Sequence, residues 1–147
     1  MPVNYIPEGY HTVTPTVIVK GAARLHDFLQ KVFDAKVLLS VPGPNNTIAH
    51  SEVQIGDSRL MIADAGPMFA AQSSSFYLYV PDCDAVYKRA LAAGAKSERE
   101  PKDQFYGDRN AGVTDPFGNL WWIGTHVENV SREELGRRAK QVAHRAA

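Results

Sequence analysis

The first half of the chain alternates β-type runs with one helical run. Residues 12–19 (TVTPTVIV) are mostly β-branched and predict a strand. Residues 22–33 repeat apolar side chains at the three- and four-residue spacing of a helix. Three more strands are predicted at residues 36–41, 47–55 and 58–63. Gly56 and Asp57 form a hairpin turn between the last two.

The same order of elements returns after a small, polar segment, residues 64–74, which we interpret as a linker. Asp82 is placed to cap a helix that ends near Gly94. Strands are predicted around it at residues 75–80, 96–100, 106–114 and 120–125. Val19 and Val80 precede the two helices and are 61 residues apart. The return of the same element order at this spacing indicates a duplication.

The pattern therefore predicts an α+β fold of two tandem βαβββ modules, residues 10–64 and 75–127, in one compact unit. Ser131 with Glu134 three residues later forms a capping box, and a C-terminal helix is predicted over residues 131–145. Its apolar side is thin, so we expect this helix to be exposed.

Composition narrows the classes of function. Sixteen basic and sixteen acidic residues give a net charge of zero, which argues against nucleic acid and anionic membrane as partners. Cys83 is the single cysteine, so an intrachain disulfide is excluded and a reducing compartment is favoured. With no apolar run near the roughly 20 residues that span a bilayer and no signal peptide at its start, the chain is expected to be cytoplasmic.

Two turns and the order of elements carry a family resemblance. Ile55-Gly56-Asp57-Ser58 looks like the hairpin of the vicinal-oxygen-chelate module, and Asp115-Pro116-Phe117-Gly118-Asn119 looks like its DPxGn turn. The chain resembles that superfamily, which includes glyoxalase I, bleomycin-resistance proteins and extradiol dioxygenases, over about residues 10–127. Within it, the segments around His50 and residues 103–109 look like a largely uncharacterised bacterial glyoxalase-like branch. The resemblance implies curled mixed sheets that form a cup for a ligand, and a homodimer.

The same resemblance implies where a metal would bind. Metal-dependent members place ligands early in the first strand and in the last strand of each module. Carried over to this sequence, these positions fall on Thr14, Leu60, Ser75 and Trp122. None of them is a good ligand for a divalent ion. A shift of strand register would offer His11, Asp64 and His126 instead. We therefore expect no metal or other cofactor, with one divalent metal ion as the alternative.

Polar and aromatic side chains at strand positions are the candidate site residues. His50 and Glu52 share one strand face and are the catalytic candidates, unless they form a solvated pair outside the cup. Arg109 suits an anionic group, unless it forms a structural Asp–Arg pair. Trp122 suits stacking on a planar ligand, unless it fills the core. The ligand-binding candidates are Thr14, Tyr77, Tyr79, Tyr106, Arg109 and Trp122. His26 is expected at the surface, and Cys83 is expected to be inert.

Three functions remain open. The leading interpretation is a metal-free protein of the glyoxalase/bleomycin-resistance type that binds a small organic molecule and sequesters a toxic or antibiotic compound. The alternative is an enzyme, a metal-dependent lyase, isomerase or dioxygenase with displaced ligands. The third is a scaffold without ligand that acts through protein contacts of its charged C-terminal helix.

Overall fold

The computed structural model describes residues 2–146, and the predicted order of elements is confirmed. A one-turn 3-10 helix, Pro44–Asn46, separates the second and third strands. The helices and strands are β1 Thr16–Val19, α1 Ala22–Phe33, β2 Lys36–Pro42, β3 Ile48–Ile55, β4 Ser58–Asp64, β5 Ser75–Tyr79, α2 Cys83–Ala92, β6 Lys96–Asp103, β7 Asp108–Thr114, β8 Leu120–His126 and α3 Arg132–Ala146.

The chain divides into two compact units that follow the predicted modules. The first ends at Ser74 and also includes Phe117–Asn119, and the second comprises Ser75–Pro116 and continues from Leu120. The strand order is β1-β4-β3-β2 in the first unit and β5-β8-β7-β6 in the second. In each sheet the first pair is parallel and the other two pairs are antiparallel, so both sheets are mixed, as predicted.

Two predicted boundaries differ from the observed ones by three or more residues. The first strand begins at Thr16 and not at residue 12, because Pro15 has no N–H for a ladder and contributes only its carbonyl, which accepts a hydrogen bond from Met61. The sixth strand continues to Asp103 through the segment predicted as a loop. It does so by two register shifts against β7, which absorb the residues that do not fit a regular ladder.

Each helix packs on one face of its own sheet. In the first unit, Val17, Val53 and Ile62 are fully buried together with Leu25 and Leu29 of α1. The second unit repeats this arrangement around Trp121, whose ring stacks on Phe76 at 4.5 Å between centroids and is 1% exposed. The opposite face of each sheet turns away from the helix and carries polar and aromatic side chains. We call it the open face.

Candidate functional site

The open face of the second sheet is built from alternate residues of its four strands. Since alternate side chains share a face, the residues in register with Trp122 and with its second neighbours lie together. One row crosses the sheet as Arg99, Gly112, Trp122 and Tyr77. We call the polar and aromatic side chains of this face, with Tyr106 from the preceding loop, the Asp108 cluster: Tyr77, Tyr79, Arg99, Tyr106, Asp108, Asn110, Trp122 and His126.

Two glycines make room for the large rings of the cluster. A Cβ on Gly112 would collide with the six-membered ring of Trp122. A Cβ on Gly124 would lie 2.6 Å from the hydroxyl oxygen of Tyr77. Both glycines are buried under these rings, so the rings cover the backbone of the neighbouring strand. Because these glycines have no side chains, the aromatic rings lie against the backbone and form the surface of the site.

Asp108 is the centre of the hydrogen-bond network. Its side chain is 5% exposed, and one oxygen accepts from the hydroxyls of Tyr77 at 2.7 Å and Tyr79 at 3.1 Å. The other oxygen accepts from Nδ1 of His126 at 2.8 Å. Burial by itself raises the pKa of Asp108, but the three donors outweigh it and the pKa is lowered. Asp108 is therefore an ionised carboxylate whose two oxygens are already engaged.

His126 lies between two oxygen partners. Nδ1 faces Asp108 Oδ1, and Nε2 faces the side-chain oxygen of Asn129 at 2.8 Å. The carboxylate can only accept, so Nδ1 donates to it, and the hydrogen bonds to Asp108 and Asn129 raise the pKa of His126. Both ring nitrogens are engaged in this arrangement.

Asn110 links the phenols to Arg99. Its amide nitrogen donates to the hydroxyl oxygens of Tyr77 at 3.0 Å and Tyr106 at 2.7 Å, and its oxygen accepts from Arg99. Burial raises the pKa of Tyr77, and the hydrogen bond to Asp108 raises the pKa of Tyr79. Tyr77 and Tyr79 therefore stay neutral near pH 7.

Trp122 lies on the open face, as predicted. The Arg99 guanidinium carbon lies over its ring at 4.7 Å from the centroid. A cation over an indole is attracted to the ring by its quadrupole. A planar ligand would therefore meet the edge of the Trp122–Arg99 pair, and stacking on Trp122 itself stays a prediction.

Arg109 does not join the cluster, and a role for it with a ligand stays a prediction. It pairs in register with Thr125 on the helix side of the sheet. Its guanidinium donates to both carboxylate oxygens of Asp84, at 2.7 and 2.9 Å, and to Asp103 at 3.2 Å. The structural Asp–Arg pair is thus the alternative observed, and its main partner comes from α2.

His50 and Glu52 lie on the open face of the first sheet. Their side chains approach to 3.6 Å between His50 Nε2 and Glu52 Oε1, and they are 40% and 25% exposed. Tyr10 lies near this pair: burial and the nearby Glu52 carboxylate raise the pKa of Tyr10, and the Arg59 guanidinium carbon lies over its ring at 5.1 Å from the centroid. The pair is partly solvated, and a catalytic role for it stays a prediction.

The residues at the expected metal positions do not form a metal site. Leu60 is buried on the helix side of its sheet, in register with the buried Val53. Thr14 precedes β1, and its hydroxyl donates to the carbonyl of His11 at 3.3 Å. Ser75 is exposed at the start of β5.

The substitute ligands fit a metal no better. Asp64 accepts three backbone N–H groups, from Gly21, Ala22 and Ile48, which outweigh burial and lower its pKa. It caps the start of α1, and its fallback role as a metal ligand stays a prediction. Within residues 2–146, no three His, Cys, Asp or Glu side chains come together as a metal site requires. The donor set does not fit a divalent ion.

Two other titratable groups belong to the cores. His26 is buried rather than exposed, because it borders the apolar stripe of α1 and its Nε2 meets the Ser51 hydroxyl at 2.8 Å. Burial lowers its pKa. Cys83 is buried at the start of α2, where its thiol donates to the carbonyl of Ile123 at 3.2 Å and burial raises its pKa.

Sequence reasoning missed Asp108, Asn110 and Arg99 as site residues. Asp108 and Asn110 are two apart on a predicted strand, which is the same signal that singled out His50 and Glu52. Arg99 gave no such signal, since the register shifts in β6 determine which face it occupies.

Comparisons with known proteins agree with this fold. The model of the Glyoxalase/Bleomycin resistance protein/Dioxygenase superfamily matches residues 10–123. An uncharacterized protein of Mycobacterium bovis is 35% identical over 134 residues, which cover 84% of this chain and 88% of that protein.

Two solved structures have the same fold. TnmS3, an antibiotic binding protein from Streptomyces sp. CB03234, has a TM-score of 0.62 at 22% identity and covers 86% of this chain and 98% of its own. The fosfomycin resistance protein FosX from Listeria monocytogenes has a TM-score of 0.63 at 19% identity and covers 85% of this chain and 97% of its own.

None of the helices in residues 2–146 has the length and apolar character needed to cross a membrane.

Proposed function

Because the chain belongs to the Glyoxalase/Bleomycin resistance protein/Dioxygenase superfamily, we propose that it binds a small organic molecule on the open face of its second sheet, without a metal ion. The observation that carries this proposal is the Asp108 cluster. It presents aromatic rings to solvent while their polar ends are fixed by hydrogen bonds.

The exposure of the rings supports binding. Tyr79 is 67% exposed, Tyr77 40% and Tyr106 37%, although all three are large and largely apolar. Their hydroxyls are tied to Asp108 or Asn110, so the rings lose little further freedom when a ligand covers them. Tyrosine rings of this kind combine contact area with a polar edge, which suits a flat molecule with a few polar groups.

The state of the polar groups favours binding over catalysis. Both oxygens of Asp108 and both ring nitrogens of His126 are engaged, which leaves neither of them as a free general base. Cys83 is buried with a raised pKa and is no nucleophile for the open face. The cluster offers a surface for recognition.

The names of two proteins with the same fold give the proposal its biological direction. One is an antibiotic binding protein and the other a fosfomycin resistance protein. By analogy, we propose that this protein sequesters a toxic or antibiotic compound in the cytoplasm as a homodimer. Sedimentation equilibrium tests the assembly, since a species of 16.2 kDa instead of twice that mass contradicts the dimer.

A binding screen that uses the two tryptophans tests the function. The indole N–H signals of 15N-labelled protein are followed while planar aromatic compounds are added, and the metal content of the same sample is measured. We expect binders to move the Trp122 signal and to leave the buried Trp121 signal in place. Tyr79→Ala should weaken binding, whereas Tyr5→Ala, at a side chain that is 91% exposed outside the cluster, should not.

Two results of this screen contradict the proposal. One is a stoichiometric metal ion that has to be present before any compound binds. The other is a panel in which every binder leaves the Trp122 signal unmoved.

A further inference from the structure

Arg99 differs from Arg109 and Arg138 of the second unit by its partners. Arg109 is bonded to Asp84 and Asp103, and Arg138 is bonded to Glu128 and Glu134. Arg99 is bonded to the neutral amide oxygen of Asn110. Within residues 2–146 no carboxylate oxygen lies within ion-pair distance of it.

Asp108, the carboxylate of the cluster, is not free to neutralise Arg99. Asp108 already accepts hydrogen bonds from Tyr77, Tyr79 and His126. Its second oxygen lies 2.8 Å from Nδ1 of His126. The guanidinium of Arg99 is thus the cation of the Asp108 cluster that has no carboxylate partner.

The backbone of β6 is shaped around Arg99. One register shift lies between Ser97 and Arg99, and a second lies between Arg99 and Lys102. Bulges of this kind re-aim a side chain, and here they bring Arg99 opposite Gly112, the glycine over which the Trp122 ring lies. The guanidinium carbon lies over the indole at 4.7 Å from the ring centroid, and Nε is buried without a hydrogen-bond partner.

A guanidinium that is oriented, half-buried and without a counter-charge is suited to a carboxylate. Its planar donors match the two oxygens of such a group, and desolvation by Trp122 strengthens the interaction. We propose that the ligand of the open face is a small organic anion, an aromatic or otherwise flat carboxylate, whose charged group pairs with Arg99 while its ring lies against Tyr79 and Tyr106. This inference rests on the proposed function and adds the charge of the ligand.

The test compares 2-naphthoate with 2-naphthamide, which have nearly the same shape and differ in charge. Both are titrated into the 15N-labelled full chain while the Trp122 and Trp121 indole signals are followed. We expect naphthoate to move the Trp122 signal and to bind at least about ten-fold more tightly than the amide, which is about 1.4 kcal/mol.

Variants assign this preference to Arg99. Arg99→Gln should remove it, and Arg99→Lys, which keeps the charge, should retain part of it. Arg24→Gln is the matched control, because Arg24 also lies over an aromatic ring, Phe117 at 5.4 Å, and belongs to the first unit. It should leave the preference unchanged.

The outcomes separate the two proposals. If both compounds move the Trp122 signal with equal affinity, the anion proposal is overturned and the binding function stands. If neither compound moves that signal, no flat aromatic ligand uses this face, and both proposals fail. If Arg99→Gln behaves like Arg24→Gln while naphthoate is still preferred, the anion is held elsewhere and the role of Arg99 is refuted.

Discussion

Replacing Asp108 with asparagine removes the charge at the centre of the open face and keeps the shape of the side chain. The carboxylate accepts from three donors, two phenols on one oxygen and His126 on the other. An asparagine has one acceptor oxygen and one donor nitrogen. In either orientation of the amide, the NH2 group therefore replaces an acceptor oxygen, facing either the two phenols or His126. His126 can relieve the conflict by giving up its Nδ1 proton.

The magnitude follows from these bonds. A hydrogen bond to a charged group contributes about 1.5–3 kcal/mol. The loss or weakening of the bonds to His126 and the tyrosines should therefore cost about 3 kcal/mol. For a chain of this size that corresponds to a fall in Tm of about 6–12 °C. Asp57→Asn, at an exposed hairpin carboxylate that accepts from Ser58, is the control and should change Tm by at most about 2 °C.

Thermal unfolding followed by circular dichroism measures the fall in Tm, and an NMR titration of His126 measures the change in its pKa. The pKa of His126 should fall from its raised value in Asp108→Asn, because the carboxylate that stabilises the imidazolium is gone. If Tm matches that of the Asp57→Asn control and His126 titrates as in the wild type, the network that we describe does not hold the site together.

The pH dependence of stability should report the same contact between Asp108 and His126. The pKa of His126 is raised in the folded state, so its contribution is complete below about 6.5, the ordinary value, and is lost as the pH rises through the folded value. The pKa of Asp108 is lowered, so its contribution is present above about 3.9 and is lost as the pH falls through the folded value. In Asp108→Asn, stability should change less with pH in both of these ranges.

Two further predictions concern the packing of each unit. Gly112→Ala should lower the free energy of unfolding by about 1–3 kcal/mol and change the fluorescence of Trp122, since the added methyl group takes the place of the indole ring. Gly136 lies in the exposed middle of α3 with open space around it, so Gly136→Ala should instead raise the free energy of unfolding by about 0.5–1 kcal/mol. His26→Gln keeps a donor for Ser51 but does not titrate. Because burial lowers the pKa of His26, the wild type should lose more Tm than this variant as the pH falls through about 6.5.

Equal Tm values for the two alanine variants contradict the close approach of Trp122 to the β7 backbone. A His26→Gln variant whose Tm falls with pH as steeply as that of the wild type contradicts the buried, neutral imidazole.

Local patterns determined most of the fold from the sequence. The apolar spacing of residues 22–33 gave both ends of α1, and the Asp82 cap gave the start of α2. The same reasoning failed for Pro15, where a missing N–H shortened the strand. It also failed for His26, since the partner that allows its burial, Ser51, is 25 residues away.

The site was less predictable because it depends on register between distant strands. Tyr77, Tyr79 and Trp122 share the open face, since alternation along a strand is a local property, and Tyr106 reaches Asn110 from the preceding loop. Arg109 could not be assigned in this way, because its partner Asp84 belongs to a helix 25 residues earlier. Arg99 could not be assigned either, because two bulges separate its position from simple alternation.

The most direct test of the central claim is the electron density of the protein crystallised with 2-naphthoate after treatment with a chelator. The account predicts density for the ring against Tyr79 and Tyr106, with the carboxylate on Arg99 and no cation in contact with His126. A ligand that lies elsewhere, or one that appears only when a divalent ion is restored and coordinated by His126, would contradict it.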